Sequence, residues 1–438
     1  MILKHRDREV LRFDWQLPFG VKNLEVNTAN LKYLPLAFRD RPELLTKEGE
    51  LRYQLELWFL ARLVPMKRQG IKHMLRQLGF EPDDPHFARN LIEFCRGLTL
   101  NDVHWIVRDE DTAKWSEVNL YENEFSSSVA SLAFAGERPD VVRKASSSPE
   151  YTTNGNLAKC WRRRNGEIFL YKGAGRGEEP HAEYLAAQVA AAMGLNHVDY
   201  GLSTFKGQLC STCKLFTSDK FGFLPMRDLL DRESRMKDPQ FADMFFFDAV
   251  VGNTDRHYGN FGYLIDNDTN ELSAPAPIFD NGYAFQYAKH PMLFDSWLDI
   301  PGGITEEMVA RLKPLKNFVF KSHPGYNLPP SRVESILENL RRQIDIIEKN
   351  YKNPSVKIEN LPVKCTKTPP KKHKTEPKLT LDEEMLAALK LFPFITKVRL
   401  AQMFEVSPMT IVKHLKSLQE RGVLKRIGPK KGGHWQVA

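Results

Sequence analysis

The stretch Phe245-Phe-Phe-Asp-Ala-Val-Val-Gly-Asn-Thr-Asp-Arg-His-Tyr-Gly-Asn-Phe-Gly-Tyr263 runs from an apolar helical segment into a loop dense in Asn, Asp, Arg, His and Gly. It leaves that loop through a short apolar strand, Phe261-Gly-Tyr-Leu-Ile265. A polar loop held between buried elements positions functional groups more often than it merely turns the chain. Asp255 and Asn260 stand five residues apart and can approach one site from the two ends of the loop. The first suits a base, and the second a neutral oxygen ligand for a hard cation. After the turn Asp266-Asn-Asp-Thr-Asn270, the strand Ala276-Pro-Ile-Phe279 delivers Asp280 ahead of Asn281-Gly282, the placing expected of a carboxylate that grips a metal.

Base, second metal ligand, strand, turn, strand and principal metal ligand follow one another in this order in protein kinases. The wording here differs from the common His-Arg-Asp and Asp-Phe-Gly forms. Asn253-Thr-Asp-Arg-His-Tyr-Gly-Asn260 with Phe279-Asp280 resembles instead the HipA-like branch of the kinase fold, which is related to phosphoinositide kinases. The resemblance spans roughly residues 100 to 350. It implies an α+β, bilobal protein-kinase-like fold and ATP- and Mg²⁺-dependent phosphoryl transfer to a serine or threonine of a protein substrate. Asp255 would then orient and deprotonate the acceptor hydroxyl, while Asn260 and Asp280 hold the metal ions. His257 is placed with the nucleotide-site residues as a brace of the loop; with Asp255 available it is not assigned as the base.

On the same resemblance a lysine and a glutamate belong upstream. Glu167-Ile-Phe-Leu-Tyr-Lys172 reads as a strand ending in lysine, and the helix from about Pro180 to Gly194 carries Glu183. Lys172 would contact nucleotide phosphates and Glu183 would hold it by an ion pair. Glu178 and Glu179 are rivals in the loop ahead; Glu183 is preferred because a helix holds its partner more firmly. Further upstream, Thr152-Thr-Asn-Gly-Asn-Leu-Ala-Lys159 leads into a hairpin, which sets Asn154 and Gly155 over the phosphates, with Lys159 at its end. In HipA-like proteins such a loop can carry a regulatory phosphoserine, so Ser146, Ser147, Ser148, Thr152 and Thr153 are candidates. The backbone around Lys214-Leu-Phe216-Thr217 would meet the adenine edge.

The formal charge of +8 is unevenly placed. Residues 352–378 hold eight lysines against two glutamates, residues 379–438 hold ten basic against five acidic side chains, and the remaining 351 residues sum to −3. The basic character therefore belongs to the tail, which suggests a nucleic-acid-binding unit on a mildly acidic body. Pro362 to Pro377 carries four prolines and almost nothing apolar, and reads as an extended linker. After it, Leu381–Leu391 and Val398–Phe404 have helical spacing. Ser407-Pro408 starts a third helix with Ile411, Leu415 and Leu418 on its inner stripe, and two short strands then flank a basic glycine-rich turn. This order resembles the winged helix-turn-helix family. The resemblance implies DNA binding through Thr410, Lys413, His414 and Ser417 in the major groove, with Lys430 and Lys431 of the wing on phosphate.

The expected domains are 1–135, a mixed α/β elaboration; 136–218, the kinase small lobe; 219–351, the large lobe; 352–378, the linker; and 379–438, the winged helix. In the first of these, apolar stripes at Leu51, Leu55, Trp58, Phe59 and Leu63, and at Ile71, Leu75 and Leu78, predict helices interrupted by Pro65. No chemistry is read there; it is taken as a docking or regulatory elaboration. With 42% hydrophobic and 27% charged residues the chain is globular in composition. No window approaches the ~20 apolar residues of a membrane span. The start meets charge before any apolar stretch, and five cysteines suit a reducing compartment, so a cytoplasmic protein is expected. Cys210-Ser-Thr-Cys213 has half the spacing of a zinc site, but its flanks read as a buried strand. Two other readings stay open: a DNA-binding regulator whose kinase fold only senses nucleotide, and a kinase of phosphoinositides or other small alcohols. A partner of antitoxin type is a further possibility that the resemblance raises.

Overall fold

The computed structural model describes residues 1–39, 48–137, 147–175, 177–229, 232–285, 300, 303–352, 381–382, 385–386, 389, 397, 400, 408–427 and 434–437. The chain divides into two compact units, Met1–Lys357 and Ile358–Ala438. The dividing point lies inside the stretch read as a linker.

The first unit begins with an antiparallel sheet in the order β3-β2-β1-β4, built from β1 (Ile2–His5), β2 (Arg8–Trp15), β3 (Val21–Val26) and β4 (His104–Val107). On β2, Val10, Leu11 and Phe13 are buried. They pack with Leu51, Leu55 and Phe59, spaced four apart on one face of helix α1 (Glu48–Ala61). The interruption expected at Pro65 is present. Helix α1 stops at Ala61, a non-helical segment containing Pro65 intervenes, and helix α2 takes up again at Ile71–Gln77. Helix α3 (Phe87–Phe94) follows.

Helix α4 (Ser127–Ala135) is capped by the Ser126 hydroxyl, which accepts the Val129 N–H at 3.3 Å, and stops at Gly136 in the left-handed region. Its Ala130 and Phe134 share a core with Cys160, Tyr171 and Cys210 of the next sheet. The expected boundary after residue 135 therefore separates this helix from the sheet it covers. That sheet has the order β5-β6-β8-β7, with β5 (Lys159–Arg164), β6 (Glu167–Gly173), β7 (Tyr200–Phe205) and β8 (Gln208–Lys214). Helix α5 (Glu179–Ala192) lies between β6 and β7 in sequence and packs against the sheet. Cys210 and Cys213 are buried free thiols on β8, and their odd separation sends them to opposite faces of the strand, so they cannot share a metal.

A three-stranded sheet β11-β10-β9 comes next, from β9 (Phe221–Pro225), β10 (Gly262–Asp266) and β11 (Glu271–Pro275). Helix α6 (Pro239–Val251) starts at Asp238, whose side chain accepts the Gln240 N–H, and ends at Gly252 with φ +64°. The long helix α7 (Pro330–Lys352) places Ile336, Leu340, Ile344 and Ile347 in the same core as Phe246, Phe247 and Val250 of α6. Among the described residues, no helix is long and apolar enough to cross a membrane.

In the second unit, helix α8 (Pro408–Glu420) precedes the antiparallel pair β12 (Leu424–Ile427) and β13 (His434–Val437). Ile411, Leu415 and Leu418 form its buried stripe, as the spacing predicts, together with Met385, Leu389, Leu400, Leu424 and Trp435.

Candidate active site

Pairing in the second sheet fixes the centre of the site. Lys172, on β6, stands opposite Lys159 of β5 and Ser211 of β8. Directly paired residues project to the same face, so two lysines and a serine are brought together. Helix α5 supplies Glu183, which is fully buried. Its Oε1 lies 2.5 Å from the Lys172 ammonium, and its Oε2 accepts the Ser211 hydroxyl. Lys172 also pairs with Asp280. The expected partner Glu183 thus holds the lysine. The rivals are engaged elsewhere: Glu178 pairs with Arg332 at 2.7 Å, and Glu179 accepts the Gly177 N–H at 2.9 Å.

The strand expected at Ala276–Phe279 ends instead at Pro275, and Asp280 reaches this point because the segment before it is stitched by an isolated bridge to the chain just ahead of β7. The Ile278 N–H donates to Asn196 O and the Val198 N–H to Ile278 O, both at 2.9 Å. Asp280 itself adopts φ +60°, a left-handed conformation sparsely used outside glycine. Burial pushes its carboxyl up, but Lys172, Lys159 and Arg256 outweigh that and hold it below the usual carboxylate range. For Lys172 burial pushes down, and Asp280 and Glu183 more than reverse it, keeping the ammonium charged. Burial raises Glu183 above its ordinary value. Lys159 has no ion-pair partner among the described residues; burial, then Arg68 and Lys172, lower it to about 7.

The loop after α6 is organised by a residue that the sequence reading left aside. The Arg256 guanidinium, buried, forms a fork with Asp248 at 2.8 and 2.9 Å. It also donates to Phe279 O at 2.7 Å, Asn281 Oδ1 at 2.7 Å and Asn260 O at 3.2 Å. One side chain therefore ties the loop of Asp255 and Asn260 to the loop of Asp280. Asn253 supports it by donating to Asp248 at 2.9 Å. A sequence signal existed: Asp248 stands alone in the apolar run Met244–Val251, and a carboxylate there needs a cationic partner.

Asn260 is buried, and its amide donates to Asp255 O at 2.9 Å while its Oδ1 accepts the His257 N–H at 3.0 Å. That fixes its orientation and leaves one lone pair on Oδ1. Asp255 is exposed at the outer end of the loop. His257 accepts the Gly259 N–H on Nδ1 at 3.0 Å, so its described contact braces the loop. Phe216 packs at a tilt on Phe279, the residue before Asp280, and edge-on to Phe223, with ring centroids 5.2 and 5.6 Å away. Asn154 is exposed and Gly155 half-buried; Asn154 O accepts the Lys159 ammonium at 2.8 Å. Of the serine and threonine candidates, Ser148 and Thr152 are buried and hydrogen-bonded to Glu150 and Leu98 O, and Thr153 bonds Pro149 O. Ser147 is half-buried, and Ser146 lies outside the described residues.

The donors suit a hard cation. Asp280 is an ionised carboxylate with its side chain 38% exposed, and Asn260 offers a fixed amide oxygen. No cluster of three or more His, Cys, Asp or Glu is found among the described residues. Two oxygen ligands completed by phosphate and water are the usual provision for Mg²⁺.

In the second unit, Lys413 is exposed on α8, whereas Thr410 and Ser417 are half-buried. His414 differs from the expectation. Its Nδ1 lies 2.6 Å from Asp382, which also pairs with Arg421, so the ring is turned to the unit's own fold. Lys430 and Lys431 lie outside the described residues.

No family model matches this chain. Among curated proteins it is 30% identical over 127 residues to the serine/threonine-protein kinase CtkA of Helicobacter pylori (strain J99), a match covering 23% of this chain and 39% of that relative's length. Among solved structures, it superposes on HipA in a Shewanella oneidensis MR-1 complex of HipA, HipB and operator DNA with a TM-score of 0.50 and 11% identity, covering 82% of this chain and 100% of that one. The crystal structure of the Helicobacter pylori proinflammatory kinase CtkA gives a TM-score of 0.36 and 17% identity, over 47% of this chain and 95% of that one. The likeness to HipA shows a HipA-like kinase fold.

Proposed function

We propose that the chain is an ATP- and Mg²⁺-dependent phosphotransferase, a HipA-like serine/threonine protein kinase, carrying a DNA-binding winged helix at its C-terminal end. The observation that carries this reading is the convergence of Lys172, Glu183 and Asp280, from a strand, a helix and a loop separated by up to 108 positions, on one ion-paired cluster. Arg256 links that cluster to the loop of Asp255 and Asn260.

In this reading Lys172, kept charged by its two carboxylates, binds the nucleotide phosphates, and the backbone at Asn154 and Gly155 covers them, beside Lys159. The adenine lies against the Leu215–Thr217 segment, beside Phe216. Asp255 accepts the proton of the acceptor hydroxyl as its oxygen bonds to the γ-phosphorus and the bond to the β-phosphate oxygen breaks. Asn260 and Asp280 would hold Mg²⁺, which would supply neutralisation of charge on the phosphates. Because the chemistry is mostly positioning and charge stabilisation, removing a residue of this cluster should cost far more rate than removing a surface lysine.

For the tail, α8 offers Lys413 on an exposed face, and the hairpin β12–β13 would be the wing. The HipA neighbour was solved with HipB and operator DNA; for this chain, DNA and an antitoxin-like protein are proposed partners.

The test is transfer of labelled γ-phosphate from ATP with Mg²⁺ to the protein itself and to a generic substrate. Wild type should become labelled or label substrate, and Asp255→Asn should lose at least about a hundredfold in rate, in line with loss of a general base. No transfer by a wild type that still binds ATP would favour the nucleotide-sensing DNA regulator. Transfer to inositol lipids alone would favour the small-alcohol kinase.

A further inference from the structure

The loop Thr153–Asn156 is held from the side of the N-terminal segment. Arg68 belongs to the non-helical stretch between α1 and α2, in the third of the chain where the sequence offered no chemistry. Its Nε donates to Gly155 O at 3.0 Å and its Nη2 to Thr153 O. The next residue, Gln69, donates its backbone N–H to Asn156 O at 3.0 Å, and Val64 does the same to Tyr151 O. With Lys159 on Asn154 O, all four carbonyls from Thr153 to Asn156 are engaged. A trans peptide is planar, with its N–H opposite its C=O. Fixing those four oxygens therefore fixes the directions of the N–H groups of Asn154, Gly155, Asn156 and Leu157, the groups a phosphate would use.

Simple stability does not account for a buried arginine here. Arg68 is 3% exposed, and among the described residues its Nη1 has no hydrogen-bond partner. A buried, unsatisfied guanidinium N–H costs free energy. Burial lowers the Arg68 pKa to about 10, with Glu150 as its opposing charge. Gly155 shows the same tight fit from the other side: its φ is +97°, and a Cβ there would fall on the Lys159 ammonium.

We infer that Arg68 is a positioning residue for nucleotide binding, fixing from the N-terminal segment the loop whose backbone N–H groups receive the phosphates. The inference rests on the kinase reading above. In this reading Arg68 acts through the carbonyls of Thr153 and Gly155, so its loss should weaken nucleotide binding rather than the transfer step.

The experiment compares wild type, Arg68→Met and Arg68→Lys by titration with a fluorescent ATP analogue and by steady-state kinetics, with thermal denaturation to establish the folded fraction. Arg68→Met is expected to raise the nucleotide Kd and the KM for ATP about tenfold or more, with kcat at saturating ATP within about threefold. Arg68→Lys, which retains the charge but can no longer fork to both carbonyls, should fall between. Equal nucleotide Kd in wild type and a folded Arg68→Met would overturn the inference, as would a fall in kcat with unchanged KM. If Arg68→Met does not fold, Arg68→Lys decides alone, and wild-type affinity in it overturns the proposal. Failure of the wild type to bind nucleotide would overturn the kinase reading, and this inference with it.

Discussion

At the scale of single residues, Lys159 is a buried lysine whose charge its surroundings oppose, with no ion-pair partner among the described residues to restore it. Its ordinary value of 10.5 falls to about 7 through burial and the nearby Arg68 and Lys172. Below pH 7 the folded protein carries an unfavourable buried charge. Between about 7 and 10.5 the unfolded chain holds a proton that the folded chain has released, so this residue makes stability rise with pH across that window. The stability difference between wild type and Lys159→Met should accordingly shift in favour of wild type from pH 7 to pH 10, measured by denaturant unfolding. An anionic nucleotide beside Lys159 reverses its preference, so binding at pH 8 to 9 should take up close to one proton. Calorimetric titrations in buffers of different ionisation enthalpy read that uptake, and its absence would remove Lys159 from the phosphate site. Arg256 is a second case. Its loss leaves Asp248 buried without its cation, a change that costs about 3–5 kcal/mol in comparable pairs. Arg256→Met should therefore lower the denaturation midpoint and abolish transfer together, and Arg256→Lys, lacking the fork geometry, should restore neither fully.

At the scale of elements, the site depends on how closely backbones approach. Gly262 begins β10, where a Cβ would collide with Leu224 O and crowd Met226 N, both backbone atoms of the neighbouring chain segment. Neither can swing away as a side chain would, so Gly262→Ala should cost about 3 kcal/mol by overpacking. An unfolding series on this variant checks it, and a change under about 1 kcal/mol would mean the β9–β10 pairing yields more easily than the geometry implies. Elements like these also explain which parts were legible in the sequence. The loop after α6 could be read because Asp255, Asn260 and the apolar strand that follows are neighbours in the chain, and because α6 ends at a glycine. Lys172 and Glu183 were readable on the strength of a family order. The contacts of Arg256 with Phe279 O and of Arg68 with Gly155 O were not, because they form only when segments about 20 to 90 positions apart are folded together, whereas the pairing of Arg256 with Asp248 had its mark in the lone carboxylate of an apolar run. An arginine in a polar loop carries no local mark of burial. His414 shows the converse: helical spacing put it beside Lys413, but only the fold reveals Asp382 as its partner.

At the scale of the whole molecule, chemistry and basic charge are carried by different units. The unit Met1–Lys357 contains the ion-paired cluster, and the unit Ile358–Ala438 contains α8 and the hairpin with its own core. Separate cores make separable functions the natural expectation. If the tail binds DNA through phosphates, affinity must fall with salt, since each neutralised phosphate releases about 0.9 of a counterion. With Lys430 and Lys431 as its phosphate contacts, the slope of log K against log salt should be roughly −2. Removing residues 358–438 should abolish that binding while leaving ATP-dependent transfer to a generic substrate within about threefold. Lys430→Glu in the full chain should weaken binding to all sequences alike and reduce the slope by about one, the signature of a phosphate contact rather than a base contact. If the truncated protein binds DNA as the full chain does, the basic tail is not the DNA-binding unit. If truncation instead removes phosphotransfer while the remaining protein stays folded, the tail contributes to the kinase site or to substrate capture.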